Sequence, residues 1–500
     1  MVARARRVAP RSGTTGEFVT EQATDEGAGG APVHAEPHGE DEPGTAAPAL
    51  AASGDASLGE RPSIFELAWP SITTNILQSI VGLVDMAIIG RISIDAQAAV
   101  GSGHRVFMVG QAVMMAITTG TTALVARSWG ANDRVEAERT THASIVMCSG
   151  VSLALGTIGV TLAEPLATIF DLPPDTEAST AVFIRWLSAF HLAFGLQFAL
   201  SSALRAAGDV KTPLLIGALS NVVNVVLVYA FVFGELPGIA LPIEPMGVRG
   251  AAIANGLAFS AGTAVLLALY LGGRLRIRPR AAGSLTLDRI RRLWHIGYPS
   301  GLEQAVFQGG FLVFVIIVTQ YGTAPNAAYN IGVQILALSF VVGFGFSIAA
   351  STLVGQHLGA REPEAAMHAG WRCMRLSIYS MIALGIAIVS TAHWVAPFFN
   401  SDPETVRLTI VFIYILGLVQ PLMAIEFSLS GALRGAGDTR WPLISVMSGF
   451  IGVRLTLALL FWRLGLSVEW VYAALIGDYI VKSLVLSTRF GRGRWQTLHV

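Results

Sequence analysis

Seven ionisable side chains stand inside stretches that are otherwise apolar: Asp85, Arg105, Glu303, Glu426, Arg454, Asp478 and Lys482. A charge inside a hydrocarbon-spanning helix costs several kcal/mol unless it is paired or faces water, so each is a functional candidate by default. Glu303 and Glu426 suit attraction of a cationic substrate or exchange of a proton; interhelical hydrogen bonding is the competing role for both. Asp85 and Arg105 form a candidate ion pair, and an unpaired carboxylate at Asp85 would be sensitive to protonation. Arg454 and Asp478 read as a charge pair, with Lys482 one turn beyond Asp478. Asn221 and Asn224 lie one turn apart and serve either a cation site or interhelical contact. His142 and His191 read as packing or interfacial groups.

Other chemistry is excluded by what the sequence lacks. There is no GxxxxGK[ST] phosphate loop, GxSxG or HExxH motif, so neither an ATPase nor an embedded hydrolase or metalloprotease is expected. The two cysteines, Cys148 and Cys373, sit in separate apolar stretches, far from zinc or redox spacing, and read as small packing residues. No enzyme activity, metal or cofactor is expected beyond a coupling ion.

The elements that must hold these groups follow from composition. The 500-residue chain is 53% hydrophobic and only 13% charged, well below the roughly 25% charged residues of soluble domains. Uncharged runs such as 106–126, 140–163, 212–234 and 250–273 suit helices that cross a bilayer. We place twelve spans near 63–90, 97–126, 139–166, 180–205, 211–234, 247–272, 290–320, 325–355, 364–396, 405–433, 440–463 and 467–489. The last is the least apolar because it carries Glu469, Asp478 and Lys482. Arg and Lys gather in the even-numbered loops, which places those loops and both termini in the cytoplasm. Zero formal net charge gives no reason to expect a nucleic-acid partner. Residues 1–60, rich in Gly, Ala, Glu, Thr and Pro, read as a disordered cytoplasmic tail or as translation from too early a start.

An internal repeat organises the rest. Pro70-Ser71 matches Pro299-Ser300 (299 − 70 = 229), Gly130-Ala131 matches Gly359-Ala360, and SSALRAAGDVKTPL from Ser201 matches SGALRGAGDTRWPL from Ser430 at the same offset. Each copy holds six spans. Because six is even, both copies enter from the same side and are related by an axis along the membrane normal. The predicted architecture is all-α and membrane-embedded: a six-helix lobe over 61–273, a cytoplasmic linker over 274–289, a second six-helix lobe over 290–490 and a cytoplasmic tail over 491–500. Pro70 and Pro299 can kink the first helix of each lobe and act as hinges. The LRxAGD motifs suit helix ends, with Arg near the negative pole, Gly at the cap and Asp starting the next helix, a role favoured here over the alternative of substrate contact.

The early prolines, the VDxxxxG pattern from Val84 to Gly90, the WGA and LGA helix ends and the doubled LRxAGD motifs followed by proline resemble the multidrug and toxic compound extrusion (MATE) family over residues 62–490. That resemblance implies a secondary-active antiporter in the plasma membrane, exporting organic, cationic and amphipathic compounds in exchange for H⁺ or Na⁺. It also implies a cation- or proton-linked carboxylate at Asp85, with Asn224 completing a site that would take Na⁺. In relatives an Asp often follows that Asn by four residues; here the position is Val228. Asp85, Asn224, Glu303 and Glu426 are the expected cation and substrate groups, and Arg105, Arg454 and Asp478 their charge partners. The expected partners are small organic molecules and the lipid bilayer, with the chain acting as a monomer. Two other functions stay open: a flippase for lipid-linked precursors, which would need a basic cavity, and a non-transporting membrane scaffold.

Overall fold

The structure, a computed structural model, describes residues 62–236, 239–240 and 244–498; the expected tail over 1–60 lies outside them. Span one is Ile64–Gly90, span two Ile94–Gly130 and span three Arg134–Thr161. Span four is a bent pair, Pro174–Ala189 and His191–Ala206, meeting at 51°. Spans five and six are Lys211–Phe233 and Gly247–Leu271. The second lobe has spans seven to ten at Leu287–Thr319, Thr323–Gly359, Pro363–Phe399 and Pro403–Gly435, followed by Arg440–Arg463 and Val468–Gly491. Eleven of these are long and apolar enough to cross a membrane, and the bent pair makes twelve. Large apolar side chains such as Leu83, Val109, Leu215, Ile386 and Leu484 are exposed, as befits a protein solvated by lipid. Regular helices satisfy the backbone without help from that solvent.

Local chemistry sets the helix ends. Ser63, Ser93, Asp133, Thr286 and Asp402 accept the N–H three residues on at the starts of spans one, two, three, seven and ten, which satisfies one of the orphan donors of each first turn. Spans four and ten close alike. Gly208 and Gly437 adopt φ of +83° and +84°, and the Asp209 and Asp438 amides reach back to the carbonyls of Leu204 and Leu433. This is the left-handed glycine cap the LRxAGD motif implies. In the first copy Asp209 then accepts from the Thr212 amide and hydroxyl. Asp438 of the second copy instead holds Arg489 at 2.7 Å. Burial raises the Asp438 carboxyl above the usual carboxylate range despite that arginine.

One core cluster is drawn entirely from residues 88–277, two others entirely from 314–479, and two more, one large and one small, bridge the lobes. Beside these clusters, at several points of the seam the backbones themselves come into close contact. A Cβ on Gly130 would collide with the Gln356 carbonyl, and one on Gly359 with the Arg127 carbonyl. These contacts exchange with each other under the 229-residue offset. A second reciprocal pair sets Gly297 against Ala116 and Gly345 against Ala68. Only glycine permits backbones to approach this closely. Gln356 and Thr352 donate to the carbonyls of Ala206 and Arg205 across the same seam.

The linker is anchored rather than loose. Arg280 and Arg289 reach back to Glu138 and Glu136 of span three at 2.8 and 2.7 Å. The closing residues, expected as a tail from 491, fold back instead. Trp495 in the turn Arg494–Thr497 is buried and stacks on Phe490 with ring centres 4.7 Å apart. Arg127 Nη1 donates to the Leu498 carbonyl at 2.8 Å.

Candidate functional site

Above the seam the lobes part around a cavity of about 270 Å³. Span one contributes Ser71, Thr74, Asn75 and Gln78, span two Thr118, Thr119 and Thr122, and span four Gln197 and Arg205; Ser347 and Ser351 of span eight close the far side. An adjoining chamber of about 140 Å³ lies in lobe two. It is walled by Phe307, Phe340, Phe344, Phe427 and Tyr479 and carries Glu303, Gln304, Glu426 and Arg434.

Asp85 lies two turns beyond Gln78 on the same stripe of span one, about 10 Å further along the helix. Both of its oxygens accept from the Asn224 carboxamide, at 3.0 and 2.8 Å, and Oδ2 also accepts from Asn255 at 3.3 Å. The expected pair with Arg105 does not form: Arg105 is exposed, and among the described residues no cation lies within ion-pair reach of Asp85. The helical phase of span two turns Arg105 outward, which spacing along the sequence could not reveal. Asn255, missed in the sequence, is a lone carboxamide in an apolar span, the same kind of signal that picked out Asn224. Asn224 is buried, and its Oδ1 has no hydrogen-bond partner.

Lobe two pairs its acids with bases. Arg434 donates to Glu303 at 2.6 Å. Lys482 stands between Asp478 at 3.2 Å and Glu426 at 3.5 Å. Arg454 reaches Asp478 only at 3.9 Å; it lies over the Phe314 ring at 4.2 Å and donates to the Tyr329 hydroxyl at 3.4 Å. The expected Arg454–Asp478 pair is therefore the looser contact, and Lys482 is the principal partner of Asp478. Space for this comes from Gly449, where a Cβ would press on Asp478 and Lys482, and it falls in a π-helical segment over Met447–Leu455. Such segments widen a helix by one residue per turn and recur at functional sites. Pro70 and Pro299 are buried inside helices that continue past them. Cys148 and Cys373 are buried and free, and His191 packs against Phe107.

Two like-oriented six-helix lobes, meeting at one end and enclosing a polar cavity, define the architecture of a secondary membrane transporter. The comparisons agree. The MatE family model matches residues 70–230 and again 299–460, the two copies starting at the repeated prolines, and the chain belongs to this family of membrane transporters. Among similar proteins is the probable multidrug resistance protein NorM of Thermotoga maritima, 30% identical over 444 residues that cover 87% of this chain and 93% of that one. A mutant of the Vibrio cholerae MATE transporter VcmN shares the fold, with a TM-score of 0.79 at 19% identity over 87% of this chain and 98% of the other. So does an outward-facing multidrug resistance MATE family transporter, with a TM-score of 0.77 at 21% identity over 86% and 96%. The protein is a multi-pass membrane transporter and not an enzyme.

Proposed function

We propose that this transporter exports organic cations in exchange for H⁺ or Na⁺ across the plasma membrane, with the seam and both termini on the cytoplasmic side. The observation that carries the proposal is Asp85: a carboxylate inside a span, on the stripe that lines the inter-lobe cavity, held by two carboxamides and, among the described residues, by no positive charge. A charge so placed favours a proton or a metal cation that neutralises it. The surrounding groups suit either ion, because carboxamides offer an oxygen as readily as an N–H once they rotate. The relative named as a multidrug resistance protein supports drug export, and the acid-bearing, ring-lined chamber suits a flat cation. With the lobes sealed at the motif end, the cavity opens toward the outside in this conformation, and rocking the lobes would present it inward.

The test is efflux of ethidium from vesicles holding the purified protein, with a pH gradient and a sodium gradient imposed separately. Efflux that follows one gradient and is lost in Asp85→Asn supports the proposal and names the ion. Wild-type efflux in that variant would remove Asp85 from the mechanism. If neither gradient drives efflux, the antiporter reading itself falls.

A further inference from the structure

The repeat allows each cavity residue to be compared with its counterpart 229 positions away. Arg434 corresponds to Arg205, Glu303 to Thr74 and Glu426 to Gln197. All three positions of lobe one line the central cavity. Lobe two thus keeps its arginine in an ion pair, whereas lobe one keeps the arginine and replaces both acids by neutral residues. Among the described residues no carboxylate pairs with Arg205, and its side chain has no hydrogen bond there. The C-terminal end of span four offers Arg205 a partial negative charge, but not a counter-ion. The same cavity wall holds Gln197 and Ser201, whose side chains donate as well as accept hydrogen bonds, while the hydroxyls of Thr74, Thr118, Thr122 and Ser202 donate to backbone carbonyls.

A guanidinium left without a carboxylate in a confined cavity, with an amide and a hydroxyl donor in the same wall, is a receptor for an oxyanion. We propose that Arg205 binds an acidic group of the exported compound, so that the preferred substrates are amphoteric: a cationic ring system seated toward the Glu303 and Glu426 chamber and a carboxylate or phosphate on Arg205. This rests on the reading of the cavity as the export site and narrows its substrate class. The two chambers share Met115, Phe344 and Arg434 in their walls, so one elongated molecule can occupy both.

The experiment is a binding titration, without any gradient, of a rhodamine carboxylic acid and its methyl ester to the purified full-length transporter. The acid-to-ester affinity ratio of the wild type is expected to fall about tenfold in Arg205→Gln, the loss of one hydrogen-bonded charge, and to recover partly in Arg205→Lys. Thr74→Glu supplies the carboxylate that lobe two has at Glu303 and is expected to lower the ratio as far by occupying Arg205 internally. This second variant decides the matter if Arg205→Gln does not fold. An unchanged ratio in the folded variants overturns the proposal. Repeating the titration in nanodiscs with and without phosphatidylglycerol separates sources of the oxyanion. If the anionic lipid displaces the ester and the acid equally and its own binding is what Arg205→Gln abolishes, the site belongs to a headgroup and the proposal fails. A wild type that binds the acid selectively yet follows neither gradient would sink the antiporter reading while leaving this one standing.

Discussion

Asp85 in lobe one is held by neutral carboxamides, while Glu303, Glu426 and Asp478 in lobe two each have a cation within 3.9 Å. The two copies descend from one pattern and keep the glycine caps of spans four and ten, the early prolines and the Gly130/Gly359 pair, yet none of these acids has an acidic counterpart: the residues opposite Asp85, Glu303, Glu426 and Asp478 are Phe314, Thr74, Gln197 and Arg249. What the repeat duplicates is the scaffold. Charge is distributed asymmetrically over it, so that lobe one carries a carboxylate an ion can neutralise and an arginine an anion can neutralise, and lobe two carries a network that neutralises itself. Buried networks of that kind hold a structure together only while complete, because removing one member strands the others.

The comparison can be broken first at Lys482. Lys482→Met leaves Asp478 and Glu426 without their shared cation, and a loss of about 3–5 kcal/mol in folding stability is expected. It should appear as a lowered melting temperature in detergent that Asp478→Asn partly restores. A melting temperature equal to that of the wild type would show that the network is not self-neutralising. Next comes Asp85→Asn, for which gradient-driven efflux should drop about a hundredfold, near the upper end of known coupling between sites, in protein that still elutes as a single species. Asn255→Ala removes one of two donors; a loss of about 1 kcal/mol is expected, read as roughly fivefold weaker protection of Asp85 from carbodiimide by the coupling ion. Protection equal to that of the wild type would leave Asn224 as the only meaningful partner. Smallest of all is Arg105→Gln, expected to change stability by less than about 0.5 kcal/mol and to leave efflux intact. Impaired efflux there would revive the ion pair that the structure does not form.

Hydropathy and the constant offset made the twelve spans and two lobes readable in the sequence, because both are properties of long stretches. The glycine caps of spans four and ten were readable too, whereas Asp438 pairs with Arg489 rather than starting the next helix. Partners were not. Whether Asp85 meets Arg105 on span two or Asn255 on span six depends on how helices turn relative to each other, and the offset carries no information on that phase. Arg205 shows the limit of choosing between roles: the sequence favours a helix end over substrate contact, and the side chain stands in the last turn of span four and lines the cavity as well. The bend in span four and the π-helical segment of span eleven left no mark because neither contains proline at the break.

The paired glycine contacts also have a mechanical meaning. At Gly130, Gly359 and Gly297 the lobes touch through smooth backbone, whose carbonyls already have partners within their own helices. Such a surface behaves as a bearing rather than a latch. Separating it requires few rotamers to be searched and few interlocked teeth to be withdrawn, so the resistance to motion at these points is low. Because the bearing is duplicated about the central axis, one tilt unloads both contacts together, and the polar contacts of the seam that resist it are the hydrogen bonds from Gln356, Thr352 and Arg127 and the pairs of Glu136 with Arg289 and Arg292.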